Sequence, residues 1–312
     1  MNLITSIYFK MDRILVTGGT GQVGKELKKI LPNAVFVGSK DYDLTNCKAV
    51  SQMYKDIKPT TVIHSAAKVG GILDNIQHQV EYYAENVMMN TLVVDQALKN
   101  NVKNFIGILS TCAYPDIVDQ YPMEEIMLHN GKPTITNFSY GIAKRGMAVH
   151  IDAIREKYSF NYCYLIPCNL YGPYDKFDYR SHYVGALVSK IHEAKLKGKK
   201  KITLYGDGTP LRQFLYAKDL AVIISSMIEQ DLYENLNIAS EANISIDSIA
   251  RIALDVLECS DFTIIYDNTK PNGQHRKDVC LNKFKKYFPD FLFTPLQDGI
   301  KNVYNSINQK VL

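Results

Sequence analysis

Ser110, Tyr140 and Lys144 have the residue types and the spacing to move a proton onto a carbonyl oxygen. Tyr140 and Lys144 are four apart, so on a helix they share one face about one turn from each other. A free tyrosine titrates near about pH 10 and is a poor acid–base group at neutrality. A neighbouring ammonium is expected to favour the phenolate and lower that value. Tyr140 can then give a proton to a ketone as hydride arrives from a nicotinamide. Ser110, thirty residues earlier at the end of an apolar run, can hydrogen-bond the same oxygen. A lone Tyr-x-x-x-Lys is common on surface helices. The serine and an upstream glycine turn make this set specific.

That turn reads Thr17-Gly18-Gly19-Thr20-Gly21-Gln22-Val23-Gly24. Gly18 permits the tight turn, Gly21 lets backbone approach a pyrophosphate, and Gly24 lets helix and strand pack closely. Thr20, Gln22 and Val23 then lie along the phosphates at the helix N-terminus. The spacing is G-x-x-G-x-x-G, the variant of the short-chain dehydrogenase/reductase superfamily. Gly19 to Lys25 nearly forms an ATP-binding loop, but Glu26 stands where a magnesium-binding Ser or Thr is needed. The second strand runs out into Val37-Gly38-Ser39-Lys40 with no acid at its tip. An NAD enzyme usually has one there for the ribose hydroxyl. Ser39 and Lys40 suit a 2′-phosphate, so NADPH is the expected cofactor, with Asp43 and Leu44 beside the adenine.

Positioning these groups requires a parallel sheet. Apolar runs at 13–17, 34–37, 61–64, 105–109 and 162–166 alternate with helix-length segments such as 22–31, 80–99 and 141–157. That alternation predicts an α/β, Rossmann-type doubly wound sheet with a smaller C-terminal substrate lobe. We expect a Rossmann domain at 11–166 and about 215–235, and a substrate lobe at about 167–214 and 236–312. Residues 1–10 read as an N-terminal extension.

The 312 residues and 46% hydrophobic content suit a globular chain with a sizeable core. A net charge of +4 is too mild, and the Lys197–Lys201 run too short, to point to nucleic acid. No apolar run reaches membrane-spanning length. Six cysteines without C-x-x-C spacing predict reduced thiols in a cytoplasm, and nothing suggests a metal site.

Longer segments narrow the reading. His64-Ser65-Ala66-Ala67-Lys68-Val69-Gly70-Gly71-Ile72, Asn86-Val87-Met88-Met89-Asn90, Ser110-Thr111-Cys112-Ala113-Tyr114-Pro115, Pro167-Cys168-Asn169-Leu170-Tyr171-Gly172-Pro173 and the run 205–215 follow one another in a familiar order. In order and spacing they resemble the GDP-L-fucose synthase family, extended short-chain reductases that epimerise and reduce GDP-4-keto-6-deoxymannose. The resemblance runs from about Arg13 to the C-terminus. It implies reduction by Ser110, Tyr140 and Lys144, and epimerisation by Cys112 and His182. A ketone at C4 acidifies the hydrogens on C3 and C5, which a thiol and an imidazole can remove and return.

The resemblance also puts Ala66, Ala67, Lys68, Pro167 and His182 on the cofactor, and Asn169 on the sugar. It puts Lys190 and Arg212 on the diphosphate with Tyr205 beside them, and Lys270 and Arg276 where the family closes over the nucleotide. A homodimer through the helices at 80–99 and 141–157 is implied. Two departures bear on the sugar: the stretch 174–182 is about one residue short, and Cys280 stands where the family has an aspartate. The substrate expected is a GDP-4-keto sugar, a 6-deoxyhexose or a heptose. A C4 reductase acting after a separate epimerase is the alternative. A sugar-nucleotide 4,6-dehydratase would show an acidic pair where Cys112-Ala113 stands, and a 4-epimerase the missing acid on the second strand. A non-catalytic dinucleotide-binding protein would have no use for Ser110, Tyr140 and Lys144 together.

Overall fold

The computed structural model describes residues 13–178 and 180–311, with side chains through residue 307. The expected extension at 1–10 and Tyr179 lie outside the described residues. The first half alternates β1 (Ile14–Thr17), α1 (Gln22–Ile30), β2 (Val35–Val37), α2 (Cys47–Ile57), β3 (Thr61–His64), α3 (Ile72–Gln77), α4 (Gln79–Lys99), β4 (Asn104–Ile108), α5 (Phe138–Tyr158) and β5 (Asn161–Pro167). The second half adds β6 (Asn169–Tyr171), α6 (Tyr183–Leu196), β7 (Lys201–Tyr205), β8 (Leu211–Arg212), β9 (Phe214–Tyr216), α7 (Ala217–Glu229) and β10 (Leu236–Ile238). It ends with β11 (Ile244–Ser245), α8 (Ile246–Val256), β12 (Thr263–Asp267), α9 (Asn282–Tyr287) and α10 (Leu296–Val311).

The main sheet runs β2-β1-β3-β4-β5-β10, every pairing parallel. Its central strands are unbroken apolar runs because helices cover both faces, and Val62, Ile63, Phe105 and Ile106 are fully buried. Helices α2, α4 and α5 pack in succession, and α1 packs against α7. Asn46 opens α2 by accepting from the N–H groups of Lys48 and Ala49 (2.9 and 3.1 Å). The chain leaves β1 towards β2, then returns to β3 on the other side. Strand ends part at such a reversal and leave a crevice at their carboxyl ends.

A second apolar cluster unites α6, α8 and α10 with the parallel pair β7–β12, through Val184, Leu187, Ile202, Leu204, Ile249 and Ile300. Two segments assigned by the sequence to this lobe belong elsewhere. Leu236–Ile238, just beyond the expected boundary at 235, is the sixth strand of the main sheet, paired with Leu165–Pro167. Val279, Leu281, Phe284 and Phe288 also enter the sheet's core. A three-residue strand has no periodicity to read, and isolated aromatics join whichever core lies within reach.

Between the carboxyl edge of the sheet and the lobe lies a cleft of about 1130 Å³. Among the described residues no helix is long and apolar enough to cross a membrane, and no cluster of ligating side chains suits a metal ion.

Candidate active site

The glycine turn forms one end of the cleft. Gly18 has φ +73°, and a Cβ there would stand 2.7 Å from the Ala66 nitrogen, so only glycine lets the β1 turn lie against the 65–66 backbone. A Cβ on Gly24 would overlap the Gly18 carbonyl. Gly24 therefore acts by packing and does not line the cleft, whereas Gly18, Thr20, Gly21, Gln22 and Val23 do. Gly21 caps α1, whose free N–H groups face this space, and the buried Gln22 Nε2 there has no protein partner. An anionic dinucleotide fits that cradle. Ser39, Asp43, Leu44, Ala66, Ala67, Lys68 and Pro167 continue the wall. Asn86 clamps the backbone of Lys68, accepting from its N–H (2.9 Å) and donating to its carbonyl (3.1 Å). Lys40 is exposed and does not line the cleft. Asp41 closes the tight turn after β2 by accepting from Gly38 N–H (2.8 Å), and Ser39, exposed, lies on the rim of the cleft.

Ser110, Tyr140 and Lys144 meet halfway along. Lys144 is buried and donates to the Ile108 carbonyl at the end of β4 (2.7 Å). One residue on, Arg145 Nε donates to the Ala113 carbonyl (2.6 Å). These two bonds pin α5 on either side of the turn bearing Ser110 and Cys112. Gly141 lets the helix approach, since a Cβ there would overlap the Cys112 carbonyl oxygen. The Lys144 nitrogen stands 5.9 Å from the centre of the Tyr140 ring.

The electrostatics differ from the expectation for Tyr140. Burial raises its pKa, the Cys112 sulfur adds to that, and the hydrogen bond with Ser110 opposes it. Lys144, rather than bringing the phenol down, is itself lowered to about 7 by burial. The low-polarity surroundings in the cleft penalise the charged form of both groups. Tyr140 is consequently a neutral phenol, the form that donates a proton.

Beneath them, Thr17 donates to His64 Nδ1 (2.7 Å), His64 Nε2–H donates to Asn90 Oδ1 (3.1 Å), and Asn90 Nδ2 donates to the Ala143 carbonyl on α5 (3.1 Å). Asn90 spends its amide nitrogen on Ala143, which assigns the proton of His64 to Nε2. Burial, then the charge of Lys144, lower His64 to about 3.

Cys112 and His182 line the same cleft. Burial opposes ionisation of the thiol. The charge of Lys277, with hydrogen bonds from Ser110, Lys277 and Asn137, outweighs it and holds the pKa below the ordinary value. His182 caps α6, its Nδ1 3.5 Å from Oδ1 of the buried Asp175.

At the far end, Lys190 donates to the Thr203 carbonyl (2.7 Å) with its nitrogen 4.6 Å from the Tyr205 ring centre. Burial lowers its pKa, and lowers Arg212 to about 10. Asn169 donates to the Gln213 carbonyl (2.8 Å) and lines the wall. Lys270 and Arg276 do not line it. Arg276 is taken up by Asp278 (2.6 and 3.0 Å) and lies over Tyr121, while its neighbour Lys277 faces the cleft. Lys277, Asn137 and Asp175 went unnoticed in the sequence. Arg276 and Lys277 are adjacent cations, and no local pattern in the sequence says which of the two faces inward.

Residues 14–239 match the NAD dependent epimerase/dehydratase family. Among curated relatives, the chain is 36% identical to GDP-L-fucose synthase of Dictyostelium discoideum, covering 92% of each chain. It is 35% identical to GDP-L-colitose synthase of Yersinia pseudotuberculosis, over 85% of this chain and 88% of that one. Among solved structures, GDP-L-fucose synthetase of Naegleria fowleri bound to NADP superposes with a TM-score of 0.87 at 32% identity, over 96% of this chain and 94% of that one. The chain belongs to the NAD dependent epimerase/dehydratase family and, within it, to the GDP-L-fucose synthase family.

Proposed function

We propose that this chain reduces the C4 ketone of a GDP-linked 4-keto sugar with NADPH, after epimerising C3 and C5 in the same cleft. The observation that carries this reading is that Ser110, Tyr140, Lys144, Cys112 and His182 all line one space continuous with the glycine turn. The NADP in the Naegleria structure and the GDP-sugar names of the relatives support it.

In the epimerising half, the Cys112 thiolate takes a proton from the carbon beside the ketone. The C–H electron pair moves into an enolate and the sulfur becomes S–H. Protonated His182 returns a proton to the opposite face, the ketone re-forms, and solvent resets both groups. In the reducing half, Ser110 holds the ketone oxygen and Tyr140 protonates it. The nicotinamide, when bound, supplies the hydride. Gly18 to Val23 would hold its phosphates and Ser39 its 2′-phosphate. Lys190 and Arg212, on the lobe side of the cleft, would take the substrate's diphosphate, where a guanidinium can bind two oxygens.

The test uses a GDP-4-keto sugar in deuterated water with a redox-inert cofactor. Wild type is expected to incorporate deuterium at C3 or C5, and Cys112→Ser to lose it while still reducing a pre-epimerised substrate. Reduction without exchange in wild type would leave a C4 reductase alone. A panel of hexose and heptose substrates, read by NADPH consumption, identifies the sugar. The reading includes a homodimer, because Val80, Tyr83, Met88 and Val149 on α4 and α5 are exposed apolar side chains. A monomeric mass at micromolar concentration counts against it.

A further inference from the structure

We propose that Lys277 is a positioning residue for Cys112: its ammonium, 3.5 Å from the sulfur, supplies the counter-charge that readies the thiol for proton abstraction. The proposal rests on the epimerase reading for its purpose, but not for its geometry.

Lys277 is aimed by its neighbours. Val279 bridges Met123, whose N–H donates to the Asp278 carbonyl (2.9 Å) and whose carbonyl accepts from Cys280 N–H (2.7 Å), which fixes the chain just after Lys277. Arg276 and Asp278 turn one way and lock together through two bonds, with the guanidinium 4.7 Å from the Tyr121 ring centre. Lys277 turns the other way, into the cleft. Its nearest acid in sequence is thereby engaged by Arg276, and no carboxylate lies within 4 Å of its nitrogen among the described residues.

The groups facing the sulfur are of one tendency. Ser110 comes from its own turn, Asn137 and Tyr140 from the start of α5, Arg212 from β8 and Lys277 from the 276–280 segment. None is a carboxylate. Ser110 and Asn137 donate hydrogen bonds, and the two cations favour a thiolate, the form that can accept a proton from carbon.

The experiment measures iodoacetamide alkylation of Cys112 in cofactor-free protein from about pH 5.5 to 10. It uses a Cys47→Ser background, because Cys47 is exposed and Cys163, Cys168, Cys259 and Cys280 are buried. Lys277→Met is expected to slow alkylation roughly tenfold at pH 7, with the two rates converging at high pH. Lys277→Arg, which keeps the charge, is expected to retain the wild-type midpoint. Identical midpoints for wild type and Lys277→Met overturn the proposal. So does a wild-type midpoint in the ordinary free-thiol range, a result that needs no variant to fold. The readout contains no substrate, so the absence of deuterium exchange would sink the epimerase reading separately.

Discussion

The two halves of the cleft are built differently. The proposed reducing half leans on a long helix: Tyr140 and Lys144 share a face of α5, and two side-chain bonds to the 108–113 backbone set its register against the turn that carries Ser110. The proposed epimerising half is gathered from segments far apart in the chain. Cys112 shares the turn of Ser110, but His182 comes from the cap of α6 and Lys277 from a segment 165 positions beyond Cys112. Groups on packed elements are held by the core itself. Groups on loops depend on pairs such as Arg276–Asp278 to hold their direction, so the two halves should fail in different ways.

The largest expected effect is on the reducing half. Tyr140→Phe removes the proton donor and should lower turnover by about 10²–10⁴-fold while leaving NADPH affinity nearly unchanged. A variant keeping half its turnover would break the assignment. Arg212→Met, on the lobe side, should act through binding. Losing a charged hydrogen-bond donor to phosphate is worth about 1.5–3 kcal/mol, which would raise KM by roughly 10–150-fold with a smaller change in kcat. Equal losses in kcat and KM-independent single turnover would say that the lobe side also orients the reacting carbon.

The third prediction concerns the support under α5. His64 is held neutral, with a folded value of about 3 against about 6.5 when unfolded. Between those values the unfolded chain binds the extra proton, so the contribution is complete above about pH 6.5 and is lost as pH falls towards 3. Chemical denaturation of cofactor-free protein should therefore show stability falling with acidification across that window. His64→Gln should flatten the slope; an unchanged slope would remove His64 from the account. The smallest effect expected is at Lys40. Lys40→Ala should change the NADPH-to-NADH preference less than Ser39→Asp, which sets a carboxylate facing the 2′-phosphate. Comparing cofactor KM values decides between them, and the reverse order would restore Lys40 as the phosphate ligand.

Much was legible without coordinates because it is local. The glycine turn, the four-residue step from Tyr140 to Lys144 and the alternation of apolar runs with helical segments are short-range patterns. Backbone geometry converts each directly into a turn, a helix face or a buried strand. The parallel sheet and the nearness of Tyr140 to Lys144 on one helix follow from those patterns alone.

What needed the tertiary structure depends on which segments meet and how much water their meeting excludes. Arg276 and Lys277 are adjacent cations of similar chemistry; in the folded chain one is engaged by Asp278 and the other stands beside Cys112. Leu236–Ile238 became the sixth strand because β5 offered an open edge. Tyr140 and Lys144 carried the expected residue types, yet burial moved both towards their neutral forms. Sequence spacing states which groups are neighbours on a helix. Desolvation is a property of the whole enclosure, and only the folded chain sets it.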